Sequence, residues 1–171
     1  MVLSKFKERA GWIITLFAAI LALNSILDGG NSSQILSDTI EANNVWAFYQ
    51  AKSIKQNLTE MRYDDAIARK DLKAAETLKA KIERYESDPK TGEGKKELME
   101  KARAIEADRA VCEQRSPWYT FANALFQIAI VIMAAAMISF SVRMYWISIV
   151  TGAFSILLMM QGFWLFLPIT L

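Results

Sequence analysis

Residues 116–171 read SPWYTFANALFQIAIVIMAAAMISFSVRMYWISIVTGAFSILLMMQGFWLFLPITL, and Arg143 is the only charged residue among them. On each side of Arg143 the apolar run exceeds the ~20 residues that a helix needs to cross the hydrocarbon core of a bilayer. A helix on the surface of a soluble protein needs a polar face, which neither run offers. The stretch therefore predicts two membrane-spanning helices, residues 118–142 and 145–167, joined by a tight hairpin at residues 143–144.

A third apolar segment lies near the N-terminus. Residues 11–27 read GWIITLFAAILALNSIL, and Lys5, Lys7 and Arg9 precede them. A positive region followed by a short apolar core is also typical of a cleaved secretion signal. Because no clean small-x-small cleavage site follows, we expect an uncleaved anchor that is the first of three spans.

The distribution of positive charge predicts the direction of crossing. Lysine and arginine are enriched in cytoplasmic loops, so residues 1–10 are expected in the cytoplasm, and three crossings put Arg143 on the same side. Residues 28–117 are then extracytoplasmic, periplasmic in a bacterium with two membranes, and residues 168–171 lie outside. The sequence thus predicts a multi-pass inner-membrane protein in contact with lipid.

The charged region between the first and second spans predicts a helical domain. Glycines and capping residues in Asp28–Ser33, Gly29 and Gly30 among them, predict the end of the first helix. We expect helices over residues 34–61 and 64–86 and, after a turn, a third helix ending near Arg115, the last two forming an antiparallel hairpin. The predicted fold class is all-α, with three transmembrane helices and a coiled-coil-like extramembrane hairpin.

The 34–61 segment shows the spacing of an amphipathic helix. Apolar residues recur at intervals of three and four, with two amides at intervening positions: Leu36, Ile40, Asn43, Ala47, Gln50, Ile54, Leu58 and Met61. The amides would set the register of a helical interface, or else be half-buried polar residues.

The number of extramembrane helices leaves two arrangements open. The chain leaves the membrane after residue 27 and returns to the same face at residue 118. Helices that stand perpendicular to the membrane must therefore be even in number, whereas three are predicted. Either the 34–61 helix lies across the membrane surface, which Trp46, Phe48 and Lys55 would suit, or a continuous helix rises from the first span with the hairpin folded against it.

Polar and small residues occur inside the expected spans. Asn24, Gln127 and Gln161 fall near one depth, where they would hydrogen-bond between helices or line a path through an oligomer. Small residues four apart, with one further member on the same stripe, predict close helix packing within one chain or between chains: Ala18, Ala22, Ser148, Gly152 and Ser155.

Composition argues against several kinds of site. The chain has no histidine and one cysteine, Cys112, which removes the commonest metal ligand and any internal disulfide. A net charge of +2 gives no reason to expect nucleic acid as a partner. We expect no catalytic residue, no metal site and no cofactor.

The order of motifs resembles that of an uncharacterised bacterial family, the domain of unknown function numbered 4337. The resemblance rests on the run from Trp46 to Lys55, WAFYQAKSIK, on a Gln127-Ile-Ala-Ile segment that opens a span, and on a final span after a basic hairpin. It covers nearly the whole chain but implies no activity. Members of this family often have histidines near the membrane-proximal end of the third helix. This chain has none, so the resemblance does not imply a metal site here.

Trp46, Tyr49, Gln50 and Lys52 combine rigid aromatic rings with an amide and a cation, a composition that suits an interface with another helix or another chain. We therefore expect a non-enzymatic scaffold, assembly or accessory subunit, either homo-oligomeric or part of a larger membrane complex. The alternative is a small homo-oligomeric channel or transport component built around the layer of amides.

Overall fold

The computed structural model describes the backbone of residues 2–166 and the side chains of residues 4–166. Four α-helices make up this range: α1 (Val2–Ala68), α2 (Leu72–Glu86), α3 (Lys95–Ser139) and α4 (Val142–Trp164). No strand occurs among them, so the expected all-α class is confirmed. The last residue of the third predicted span and the tail at 168–171 lie outside the described residues.

Three of these helices are long and apolar enough to cross a membrane. The best 18-residue windows of α1, α3 and α4 have mean hydropathies of 2.0, 2.2 and 1.6. Only 17%, 28% and 28% of the residues in these windows are buried inside the structure. Their apolar side chains are therefore not enclosed in a core of the kind that a water-soluble protein builds.

The predicted break at Gly29–Gly30 is wrong, because both glycines lie inside α1, a single helix of 67 residues. A glycine inside a helix costs about 1 kcal/mol relative to alanine, which packing elsewhere along the helix can offset. The nearby polar residues do not cap a helix end. Ser33 Oγ donates to the Gly29 carbonyl at 2.9 Å, and Asn31 Nδ2 donates to the Cys112 carbonyl at 2.8 Å. Of the two arrangements left open, the continuous helix is observed.

The predicted boundary between the helix ending near Arg115 and the span starting at residue 118 is also wrong, since α3 runs through Pro117. Proline removes one backbone hydrogen bond and costs about 3 kcal/mol inside a helix. The residues that follow are well packed: Trp118 and Tyr119 are 7% and 4% exposed. This burial is the physical reason that the helix persists across the proline.

The boundary between the first two extramembrane helices lies at Arg69–Asp71, later in the chain than the predicted gap between residues 61 and 64. Lys70 has a φ of 61°, and Asp71 caps α2 by accepting a hydrogen bond from the Ala74 backbone N–H at 3.1 Å. A left-handed residue followed by a side-chain cap is a strong local stop signal. The predicted boundary lacked both features.

The chain divides into two compact units. Unit 1 contains residues 1–35 and 110–171, and unit 2 contains residues 36–109. In unit 1, α1 and α3 run antiparallel, because Phe17 packs on Phe126 whereas Asn24 contacts the earlier residue Tyr119. The core of this bundle is Phe17, Ala122, Phe126 and Ala129.

The connection between α3 and α4 lies at Phe140–Ser141, whereas the sequence predicted residues 143–144. Phe140 adopts a φ of 51°, and the Ser141 side chain accepts from the Met144 backbone N–H at 3.5 Å. Arg143 therefore belongs to the first turn of α4. The third apolar helix begins three residues before its predicted start because Ser141 supplies the cap.

In unit 2, α2 folds back along α1. Leu72 follows Ala68 after a three-residue turn, while Lys52 Nζ lies 5.8 Å from the centre of the Tyr85 ring near the other end of α2. The first part of α3 then continues in the same direction, since Lys95 lies over Tyr49 and Lys101 pairs with Glu41. The predicted hairpin of the second and third helices is therefore wrong in its pairing: α1 is the partner of both.

Candidate interaction surfaces

Trp46 and Tyr49 form the centre of the packing between α1 and α3 in unit 2. Trp46 Nε1 donates to Glu106 Oε1 at 2.8 Å, and its ring meets the edge of Tyr49 with centroids 5.5 Å apart. Lys95 Nζ lies 5.7 Å from the centre of the Tyr49 ring. Both aromatic residues pack against a core of Val45, Leu98 and Ala102.

Lys52 is likewise engaged within the chain. Its Nζ pairs with Glu93 Oε2 at 3.3 Å and lies over the Tyr85 ring. Gln50, by contrast, is exposed. The structure therefore brings three of the four residues of the predicted interaction face together, but as contacts between helices of one chain, and it places Gln50 on a different side of α1.

The turn between α2 and α3 is held by ionised side chains. Arg84 Nε donates to Asp88 Oδ2 at 2.8 Å, and this hydrogen bond, with help from Thr91, lowers the pKa of Asp88 to about 2. Ser87 Oγ donates to Glu97 at 2.6 Å, which lowers the pKa of that carboxyl. These bonds fix the start of α3 relative to the end of α2.

A continuous side of α1 in unit 2 is left exposed. We name it the outer stripe: Leu36, Ile40, Asn43, Ala47, Gln50, Ile54, Leu58 and Met61, all of which are exposed. The large apolar members are conspicuous, since Leu36, Ile54 and Met61 are 62%, 61% and 69% exposed. The amphipathic stripe found in the sequence is therefore a surface that no described part of the chain covers.

The side of α1 that does pack within unit 2 was missed by sequence reasoning. Its buried members lie 3, 7 or 11 residues apart, intervals that return to the same side of a helix: Ala42, Val45, Gln56, Thr59 and Ala66. The spacing was a usable signal. It went unnoticed because glutamine, threonine and alanine look less apolar than the isoleucine and leucine of the outer stripe.

A polar cluster crosses the interior of unit 1. Asn24 is fully buried, and its Nδ2 donates to the Tyr119 carbonyl at 2.9 Å and to Asn123 Oδ1 at 2.8 Å. Ser25 Oγ also donates to Asn123 Oδ1, at 3.2 Å, and Asn123 Nδ2 donates to Asp28 Oδ2 at 3.1 Å. The cluster therefore ties α1 to α3 through amide side chains.

The three amides predicted to share one layer differ in their solvent exposure. Asn24 and Gln161 are buried, whereas Gln127 is exposed. The main partner of Asn24 is Asn123, which sequence reasoning missed although it lies four residues, about one helical turn, before Gln127. A polar layer common to the three predicted residues is not assembled within unit 1.

The predicted packing residues fall into two groups. Ser148, Gly152 and Ser155 are buried on α4, and Ser148 Oγ donates to the Ala129 carbonyl at 2.6 Å. A Cβ added at Gly152 would overlap the Phe17 ring, so glycine permits α4 to approach α1 closely. Ala18 and Ala22 are exposed. Only the α4 stripe serves packing within the described chain.

A comparison with family models decides the relationship suggested by the motifs. The model described as "Domain of unknown function (DUF4337)" matches residues 6–165. The chain belongs to the DUF4337 family. The match includes both units and all three apolar helices, which confirms the resemblance carried by the run from Trp46 to Lys55. No match was found among curated proteins or among solved structures.

The described residues of this DUF4337 protein offer few groups for chemistry. Between residues 2 and 166, no cluster of three or more histidine, cysteine, aspartate or glutamate residues could hold a metal ion. Cys112 is a free, half-buried thiol. The surfaces that the structure does present are the outer stripe in unit 2 and the exposed apolar helices of unit 1.

Proposed function

We propose that this DUF4337 protein is a non-enzymatic scaffold anchored in the membrane, which self-associates through the outer stripe of α1. The observation that carries the proposal is the exposure of that stripe, while the opposite side of the same helix is already packed against α2 and α3. Surface patches of this kind usually mark contact sites for other molecules.

Membrane anchoring is supported by the surface of unit 1. Residues such as Trp12, Ile26, Val131 and Ile138 are 69%, 70%, 67% and 77% exposed. In water this surface would cost about 25 cal/mol for each Å² of apolar area, whereas lipid removes that cost. The positive-inside rule would place the basic N-terminus in the cytoplasm. On that basis α1, α3 and α4 would each cross the membrane once, and unit 2 would be periplasmic.

The length of the outer stripe suits a helical interface. From Leu36 to Met61 it covers 25 residue steps, which corresponds to about 38 Å at 1.5 Å per residue. Contact between helices over this distance would remove five large apolar side chains from water. Each contributes about 1.5–3 kcal/mol when fully buried, enough to offset the entropy lost on association.

The amides in the stripe favour a second copy of the same chain over an unrelated apolar partner. In a parallel, symmetric interface each residue faces its own counterpart, so Asn43 meets Asn43 and Gln50 meets Gln50. Amide groups then hydrogen-bond to each other, and the apolar layers pack together. Chains that share one membrane topology can only meet in parallel, which this register requires.

The test is the molar mass of the purified full-length protein in detergent, with the detergent contribution subtracted. We expect an oligomer for the wild type and a monomer for Ile54→Lys/Leu58→Lys, because each chain would bury two charges in the interface. The matched control is Ile67→Lys/Leu72→Lys, which alters two exposed residues, 47% and 75% accessible, outside the stripe. It should remain oligomeric.

Helicity measured by circular dichroism should be unchanged in both variants, since all four side chains are exposed. A monomeric wild type would overturn the proposal, and so would an unchanged mass for the stripe variant. The alternative of a channel around the amide layer is not favoured, because Asn24 is buried and its amide is bonded to Asn123 within one chain, so it is not free to line a path between chains.

A further inference from the structure

Unit 1 contains a groove that the scaffold role does not use. It lies between α1 and α3 near Asn31 and Arg115, has a volume of about 350 Å³ and is open to the surface. Apolar and polar residues share its lining: Ile26, Leu27, Asn31, Arg115, Tyr119 and Phe163. We propose that this groove binds an anionic phospholipid, with the phosphate held by the Arg115 guanidinium.

Arg115 supplies the charge and the geometry for a phosphate. Its Nε is buried and has no hydrogen-bond partner among the described residues. A buried, unsatisfied donor on a charged group costs more than a neutral one, so a site of this kind favours an acceptor that completes it. The planar guanidinium donates two parallel hydrogen bonds, which match two oxygens of a phosphodiester.

Arg115 is the residue of the groove best placed to bind a phosphate. Asn31 Nδ2 is committed to the Cys112 carbonyl at 2.8 Å. Asp28 does not line the groove, and its carboxylate accepts a hydrogen bond from Asn123 Nδ2 at 3.1 Å within the polar cluster. The lining of the groove therefore contains one cation, Arg115, and no carboxylate.

The apolar half of the groove points to a lipid as the source of the phosphate. Ile26 and Phe163 are 70% and 52% exposed and belong to helices that are apolar enough to cross a membrane. Arg115 precedes the apolar part of α3 by about one helical turn, as is typical of a basic residue at the level of lipid headgroups. An acyl chain would lie along Ile26 and Phe163 below the phosphate.

This inference rests on the proposed membrane anchoring but not on self-association. The test is native mass spectrometry of the full-length protein released from nonionic micelles, titrated with phosphatidylglycerol or with phosphatidylcholine of the same chain length. We expect phosphatidylglycerol to bind about tenfold more tightly, because the quaternary ammonium of phosphatidylcholine offsets the attraction between its phosphate and Arg115, whereas phosphatidylglycerol keeps a net negative charge. The same spectra report the oligomeric state, so failure of the scaffold proposal is seen separately.

Arg115→Gln should abolish the preference for phosphatidylglycerol, and Arg115→Lys, which keeps the charge but loses the planar fork, should retain part of it. The matched control is Arg103→Gln, which removes the same charge from an exposed site in unit 2 and should bind as the wild type does. Inorganic phosphate and glycerophosphoglycerol are the soluble probes, and neither should compete at concentrations equal to that of the lipid.

Two results would overturn the proposal. One is an unchanged preference in Arg115→Gln. The other is competition by the soluble phosphates at equal concentration, which would assign the groove to a water-soluble anion and not to a lipid.

Discussion

Gly152 lies where α4 approaches α1 most closely, and the Phe17 ring occupies the space that a Cβ would need. Gly152→Ala should therefore destabilise unit 1 by about 1–3 kcal/mol, the usual cost of overpacking. Thermal unfolding in detergent, followed by circular dichroism, measures the change. The matched control is Gly29→Ala: nothing lies within 4 Å of its added Cβ, so the better helix propensity of alanine should stabilise α1 by up to about 1 kcal/mol. Equal effects at both sites would contradict this account of the packing.

Asp88 is the residue whose ionisation most clearly supports the turn between α2 and α3. Its pKa is lowered to about 2 by the Arg84 guanidinium, from a usual value of 3.8. The ionised form is thus favoured in the folded state, and the stability that it contributes is present above pH 4 and lost as the pH falls from about 4 towards 2. Melting temperatures measured between pH 7 and pH 2 should fall over that interval.

In Asp88→Asn the melting temperature should already be lower at pH 7 and should depend less on pH below 4. Asp65→Asn is the control, since Asp65 also pairs with an arginine four residues away but both partners are well exposed, at 63% and 75%. Exposed pairs of this kind contribute little. If Asp88→Asn kept the full acid dependence of the wild type, the Arg84–Asp88 pair would not be its source.

At the scale of the element, α1 presents two sides with different roles. Trp46 packs against α3 and donates to Glu106, whereas Phe48, two residues later, is 65% exposed. Trp46→Ala should destabilise unit 2 by about 2–4 kcal/mol, because it leaves a cavity and an unpaired Glu106 carboxylate. Phe48→Ala should change stability by less than about 0.5 kcal/mol. Chemical denaturation of the detergent-solubilised protein measures both.

Comparing the two variants also distinguishes a role for Trp46 in packing within unit 2 from a role in contact between chains. If Trp46→Ala dissociated the oligomer while leaving the unfolding transition unchanged, Trp46 would belong to a contact between chains and the packing described for unit 2 would be wrong. Loss of stability with retained self-association at permissive temperature is the expected outcome.

At the scale of the whole molecule, the crossing of the membrane is the property to be tested. In a Cys112→Ser background, Lys90→Cys lies in the turn between α2 and α3, and Val142→Cys lies at the start of α4. A membrane-impermeant maleimide applied to spheroplasts should label position 90, and should label position 142 only after permeabilisation. Labelling of position 142 but not of position 90 would invert the proposed topology.

The sequence was sufficient for the apolar helices and insufficient for their ends. Blocks of uncharged residues are long and additive signals, so all three helices able to span a membrane could be predicted. The breaks expected at Gly29–Gly30 and at Pro117 were wrong because each penalty, of about 1–3 kcal/mol, is smaller than the packing on either side of it. Local propensity cannot weigh those distant contacts.

The candidate surfaces, too, could be predicted only in part. The spacing of the outer stripe was visible in the sequence, but only the structure shows that the chain leaves it exposed and packs the more polar side. Asn24 was identified, whereas its partner Asn123 was not, since 99 residues separate them in the chain. Contacts at that separation depend on the register between α1 and α3, which no local pattern encodes.

The most direct test of the central claim is a cysteine cross-link at Asn43, carried out in native membranes with Cys112→Ser as the background. Asn43 lies in the outer stripe, and Lys55, an exposed position about 100° around the helix from Ile54, is the control. Self-association through the stripe predicts that Asn43→Cys forms a disulfide-linked dimer on mild oxidation and that Lys55→Cys does not. No dimer at position 43, or equal dimer at both positions, would contradict it.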